Sequence, residues 1–139
     1  MTTYLYGGLA AENRFLKSIE WLTLDKFGKP ELGSHKWVIL TYDAYCSPRN
    51  CMLMAPIGPE SILILGGNND RNMLADGMVL NTQTMQPRNT IVDCSMRFAC
   101  GNNQYSVAEN GDVLCLAAVE DGTKKLIKVA NYGKTVTIQ

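Results

Sequence analysis

Four consecutive apolar residues, Ile62-Leu63-Ile64-Leu65, stand between Pro59 and the pair Gly66-Gly67, and no other stretch limits the possible folds so much. A run this short, closed at both ends by breakers, fits a strand buried on both faces, because a helix needs more length. In such a strand Ile62 and Ile64 face one side and Leu63 and Leu65 the other. The construction also occurs as Tyr4-Leu5-Tyr6-Gly7-Gly8, and it returns with the glycines replaced as Val113-Leu114-Cys115-Leu116-Ala117-Ala118. Three copies argue for a repeat. The residues after each glycine pair also match: a polar loop and then Leu16 to Leu24 in one copy, Asn68 to Asn72 and then Leu74 to Leu80 in the next. The register survives when Leu16 is laid on Leu74.

With Trp37-Val38-Ile39-Leu40 opening a further strand, the order is apolar strand, Gly-Gly, polar loop, second strand, Trp. In this order the chain resembles a kelch-repeat β-propeller. The copies lie 59 and 51 residues apart, near the roughly 50-residue kelch period. The second copy has Thr90-Ile91-Val92 in place of the Trp strand, and the third lacks the glycines. The closing block, Phe98 to Gln104 followed by Asp112 to Leu116, is similar to the terminal blade of kelch-motif proteins of ciliated protists.

The resemblance implies an all-β fold, a partial kelch-like β-propeller of about three antiparallel blades. Residues 1–139 form a single segment, with blade I at about 3–40, blade II at about 51–94 and blade III at about 97–139. Blade I is expected to be incomplete, because the strand Thr3 to Tyr6 begins so close to Met1. About eleven strands are expected. They are Thr3–Tyr6, Lys17–Leu24, Trp37–Leu40, Cys51–Ala55, Ser61–Leu65, Met78–Asn81, Thr90–Asp93, either Arg97–Cys100 or Gln104–Val107, Val113–Val119, Lys124–Ala130 and Lys134–Ile138. Pro56 to Pro59 are expected to form a turn, and Asn110-Gly111 and Asp121-Gly122 to form hairpin turns. Ser47-Pro48-Arg49 leads into the second blade.

Propellers close with roughly four to eight blades, so three leave two apolar end faces uncovered. If each face is on the order of 400 Å², about 10 kcal/mol per face is left unrealised, comparable with the stability of a whole domain. The expectation is a half-propeller completed by a second copy, another subunit, or further blades of a longer gene product.

Thirteen basic residues balance thirteen acidic ones, so the electrostatic footprint for nucleic acid or an anionic membrane is missing. No apolar run approaches the roughly 20 residues of a membrane span, and the first residues do not read as a signal peptide. Five cysteines, Cys46, Cys51, Cys94, Cys100 and Cys115, and no Asn-x-Ser/Thr acceptor fit a reducing compartment. The expected location is cytoplasmic, with cytoskeletal or ciliary placement as the narrower expectation.

Chemistry is nearly silent. His35 is the only histidine, which removes most triads and metal sites; it reads as an exposed strand-edge residue. The spacings Cys46-x4-Cys51 and Cys94-x5-Cys100 lack the paired C-x2-C pattern of zinc sites, and Cys115 reads as a small core residue. Asn68 to Asn72 has alternating oxygens, but Met73 stands where a calcium loop needs Gly, so a polar turn is expected. Gly66-Gly67 lacks the lysine of a P-loop and the third glycine of a dinucleotide fingerprint. Trp21, Trp37 and the methionines read as packing residues. No catalytic residue, cofactor or metal is expected.

The resemblance implies a non-enzymatic protein-interaction or scaffold module. Its partner is a protein or a second copy covering the exposed blade faces, and neither nucleic acid nor membrane is a partner. The candidate contact residues are Glu12, Asn13 and Arg14 in the loop after the first glycine pair, and Asn68, Asn69, Asp70, Arg71 and Asn72 after the second. Two alternatives stand beside this. One is a portion of a propeller enzyme whose catalytic residues lie on blades outside this chain. The other is a small mixed α/β ligand-binding domain with a helix over 71–79.

Overall fold

The computed structural model describes residues 1–39, 47–91, 96–101, 104–131 and 133–139, with 89–91 as main chain only. Ser61–Leu65, the run between Pro59 and Gly66, is a strand buried at every position, β7 in chain order. It is buried throughout because a second sheet covers each of its faces. Leu63 and Leu65 pack with Leu53, Ala55, Val79, Val113, Cys115, Val119, Ile127 and Val129. Ile62 and Ile64 pack on the other side with Tyr6, Ile19, Met78 and Leu80. Alternation along one strand therefore feeds two separate cores.

Three antiparallel sheets carry this arrangement. Sheet 1 orders β1 (Thr2–Tyr6), β4 (Ser18–Thr23) and β5 (Lys36–Ile39). Between β1 and β4 a small hairpin is made of β2 (Leu9–Ala10) and β3 (Arg14–Phe15). Sheet 2 is the meander of β6 (Leu53–Gly58), β7, β8 (Gly77–Asn81) and β9 (Gln86–Ile91). In sheet 3, β12 (Val113–Val119), β13 (Lys124–Ala130) and β14 (Thr135–Ile138) pair in succession; β10 (Phe98–Ala99) and β11 (Tyr105–Val107) both pair with β12. Sheet 2 lies in the middle, and among the described residues no sheet closes on itself.

The architecture is all-β. The one helical element among the described residues is a 3-10 turn at Ala11–Asn13, and 71–79 holds bridges at Met73 and Leu74 and the start of β8 instead of a helix. Fourteen strands occur among the described residues, against the eleven expected. The β2–β3 hairpin adds two, and both alternatives for the start of the last sheet are strands.

Three boundaries need correction. The expected strand at Cys51 begins at Leu53, because Cys51 takes a φ of 52°. The expected turn at Pro56 is instead strand as far as Gly58. Proline is tolerated there because β6 is an edge strand and the register shifts between Pro56 and Gly58. The expected strand over 90–93 is β9, shifted to Gln86–Ile91; Val92 and Asp93 lie outside the described residues.

The glycine pairs make the same joint twice. Gly7 and Gly8 have φ of 67° and 101°, and Gly66 and Gly67 have 68° and 96°, all in the region that disfavours a side chain. Gly7 N–H donates to Ser18 O (3.0 Å) and Gly66 N–H to Asp76 O (3.0 Å). Gly8 N–H donates to Arg49 O (2.9 Å) and Gly67 N–H to Phe98 O (2.8 Å), so each pair grips the segment that enters the following sheet. Leu16 N–H to Gly8 O (3.0 Å) and Leu74 N–H to Gly67 O (2.8 Å) close the two loops alike, which is the register drawn from Leu16 and Leu74. In sheet 3 the corresponding strand β12 runs into a tight turn at Asp121-Gly122. No Gly-Gly is needed there.

Candidate functional site

The joint between sheets 1 and 2 holds the most buried charge. Arg49 is 1% exposed. Its Nε donates to Ser47 O (3.1 Å), Nη1 to Gly66 O and Asp76 O (both 3.0 Å), and Nη2 to Ser47 Oγ (2.7 Å). Nη2 also lies 3.0 Å from Asp76 Oδ1, which takes this contact as an ion pair without an in-line hydrogen bond. A buried cation is tolerated only when paired and bonded in this way. Every acceptor belongs to the scaffold, so Arg49 is a structural pin. The sequence places Arg49 in the connector without revealing its role, because a lone arginine after Pro48 carries no signal of burial.

The two loops named as contact surfaces occupy equivalent places after the two glycine pairs. Glu12 and Asn13 form the tip of the β2–β3 hairpin with φ of 61° and 55°, and Arg14 is in β3 opposite Ala10; all three are exposed. Asn68 bridges Asn50 and Met73. Asn69 Oδ1 accepts from Arg71 N–H (3.1 Å) and Asn72 N–H (2.9 Å), while Asp70 and Arg71 form an exposed pair at 3.7 Å. Thus the asparagine oxygen that could face a cation is occupied by the turn itself. No hydrogen bond or ion pair joins the two loops among the described residues, so they are separate projections.

His35 Nε2 lies 3.1 Å from Glu20 Oε2 on the exposed face of sheet 1. Cys100 and Cys115 are buried in the core between sheets 2 and 3 with their sulfurs 3.1 Å apart, and Cys51 is exposed. The Cys100 thiol donates to Cys115; that bond and burial push its pKa far above the ordinary thiol range. Cys46 and Cys94 lie outside the described residues. Among the described residues no three His, Cys, Asp or Glu side chains gather as metal ligands, and no helix is long and apolar enough to cross a membrane.

The larger surface features are the outward faces of sheets 1 and 3. On sheet 1, Leu5, Glu20 and Trp37 stand opposite one another across three strands, with Ile39 beside them. Leu5 is 62% exposed, Trp37 63% and Ile39 51%. Trp37 was expected to pack inside; it faces outward, whereas Trp21 packs against the core that holds Tyr6, Ile19, Ile62 and Ile64. On sheet 3, Leu114, Leu116 and Leu126 are each 42% exposed.

At the open edge of β1 lies a cleft of about 590 Å³, with Thr2, Tyr4, Met52, Met54, Pro56 and Ile62 in its walls and no charged residue among its lining. No sequence signal announces this cleft, because which strand lies beside β1 depends on pairing. The sequence matches no protein-family model and no curated protein.

Proposed function

We propose that this chain is a non-enzymatic protein-interaction module built on kelch-type blades. In this reading sheets 1, 2 and 3 are successive blades of a partial propeller, and the outward faces of sheets 1 and 3 are its association surfaces, covered by a second copy. The observation that carries the reading is the contrast between β7 and β12. Both are continuous apolar runs, the sequence signature of burial on two sides. β7 is buried at all positions, whereas β12 alternates, leaving Leu114 and Leu116 out. An apolar strand with one face uncovered marks an interaction surface.

The two end faces also suit each other. Sheet 3 presents exposed Lys124 and Lys128 around Leu126, and sheet 1 presents Glu20 between Leu5 and Trp37. Two copies would supply six blades, within the roughly four to eight that close a ring. Light scattering across a concentration series tests this. The expected mass is twice that of one chain, falling to one chain in Leu116→Asp. A monomer at all concentrations, with both end faces bare, sinks the self-association; co-purification of a different subunit on those faces would replace the second copy with that subunit.

A further inference from the structure

The parity of hydrogen bonding in sheet 1 leaves one strand position open. Met1 and Leu24 exchange both main-chain bonds (3.0 and 2.7 Å), and Gly7 N–H donates to Ser18 O (3.0 Å). Antiparallel pairs alternate between bonded and unbonded rungs, so Thr3 and Leu5 also turn their main-chain groups toward Leu22 and Glu20. Thr2 and Tyr4 therefore direct theirs to the opposite side. No described strand pairs with that side of β1.

Sheet 2 shows what belongs there. The 59-residue offset that superposes the glycine pairs places Thr2 and Tyr4 on Ser61 and Leu63. In sheet 2 those two residues are paired with Gly58 and Ala55 of β6. Sheet 1 has no counterpart of β6 among the described residues; where that counterpart would run is the uncharged cleft beside Thr2 and Tyr4, with Met52, Met54 and Ile62 in its walls. Methionines adapt their shape to an incoming side chain, and an edge with unanswered N–H and C=O groups is a template for strand addition.

We propose that this edge is a strand-docking site. One extended, uncharged segment of a different protein, apolar at every second residue, adds antiparallel to β1 by bonding the main chain of Thr2 and Tyr4 and seating its inward side chains in the cleft. A second copy held through the same edge would instead make the mass in light scattering fall in Thr2→Pro. The described end of β14 is not available for this edge, since Gln139 and Leu126 exchange both main-chain bonds at 2.9 Å. The proposal rests on the protein-binding reading for its class of ligand, but it uses a surface distinct from the end faces.

The probe is a fluorescent peptide carrying residues 50–59 of this chain, the uncharged β6 template, with Cys51→Ser, titrated by anisotropy. Methylating the peptide nitrogen at the Ala55 position, which the offset sets opposite Tyr4, blocks a bond aimed at β1 and is expected to weaken binding about tenfold or more. Methylation at Met54, whose N–H points the other way, is expected to change it by less than about twofold. Thr2→Pro removes an edge donor from an exposed position and is expected to weaken binding about fivefold. Bound peptide slows exchange of the Tyr4 amide. Equal effects of the two methylation patterns, or an unchanged Tyr4 amide, overturn the proposal. Thr2→Pro leaves the mass in light scattering unchanged, so failure here with association intact spares the proposed function. Loss of association with peptide binding intact spares this site.

Discussion

Gly66 and Gly8 have similar backbone demands but different surroundings. A Cβ on Gly66 would lie 2.7 Å from Phe98 O and 2.9 Å from the Phe98 ring, whereas one on Gly8 meets nothing within 4 Å. Gly8→Ala is expected to cost the conformational penalty alone, about 1–2 kcal/mol. Gly66→Ala adds a clash with main chain and is expected to cost roughly 3 kcal/mol or more by urea denaturation. Arg49→Met leaves Asp76 without its cation and removes four hydrogen bonds, so a loss of about 3–5 kcal/mol is expected. At the Asp121-Gly122 turn, the Thr123 hydroxyl and N–H donate to the Asp121 carboxylate and lower its pKa. A carboxyl lowered on folding stabilises the native state above its unfolded pKa, and the contribution fades as pH falls through the folded value. Asp121→Asn should therefore flatten the acid limb of the stability profile. In native protein, maleimide is expected to label Cys51 and to spare Cys100 and Cys115 until denaturant is added, as mass spectrometry of digests would show.

Strands bounded by strong punctuation were legible from sequence, and those whose limits depend on neighbours were not. Ser61–Leu65, Val113–Val119 and Lys124–Ala130 coincide with their expected bounds because Gly-Gly, Asn110-Gly111 and Asp121-Gly122 stop them chemically. Pro56 misled because edge position, which makes it harmless, is a property of the sheet. Trp37 misled because an aromatic in a strand reads as core whichever face it takes. The polar turn at Asn68–Asn72 was legible as a loop, and so were Glu12 and Asn13, but Arg14 belongs to β3. The cleft beside β1 was not legible, since it arises where no described strand pairs with β1. The difference between one-sided and two-sided burial yields a prediction for whole strands. Ile64→Asp, in β7, buries a charge between two sheets and is expected to abolish folding by circular dichroism. Leu116→Asp, in β12, is expected to retain the strand spectrum and to alter association alone.

Taken as one body, the molecule is three sheets deep, with its two cores on either side of sheet 2. Both cores share β6, β7 or β8 residues, so unfolding sheet 2 removes the support of both neighbours. A single cooperative transition is therefore expected, with fluorescence of Trp21 in sheet 1 and the far-ultraviolet signal losing structure at the same denaturant concentration; separated midpoints would show sheets melting independently. The bond from the second glycine of each pair to Arg49 O or Phe98 O recurs with the same geometry at both junctions. A contact that recurs in this way is a rule for growth. Tandem duplication of the residues from Asn50 to Phe98 would create another such junction from existing parts, so the lengthened polypeptide should gain one further layer and keep its ellipticity per residue.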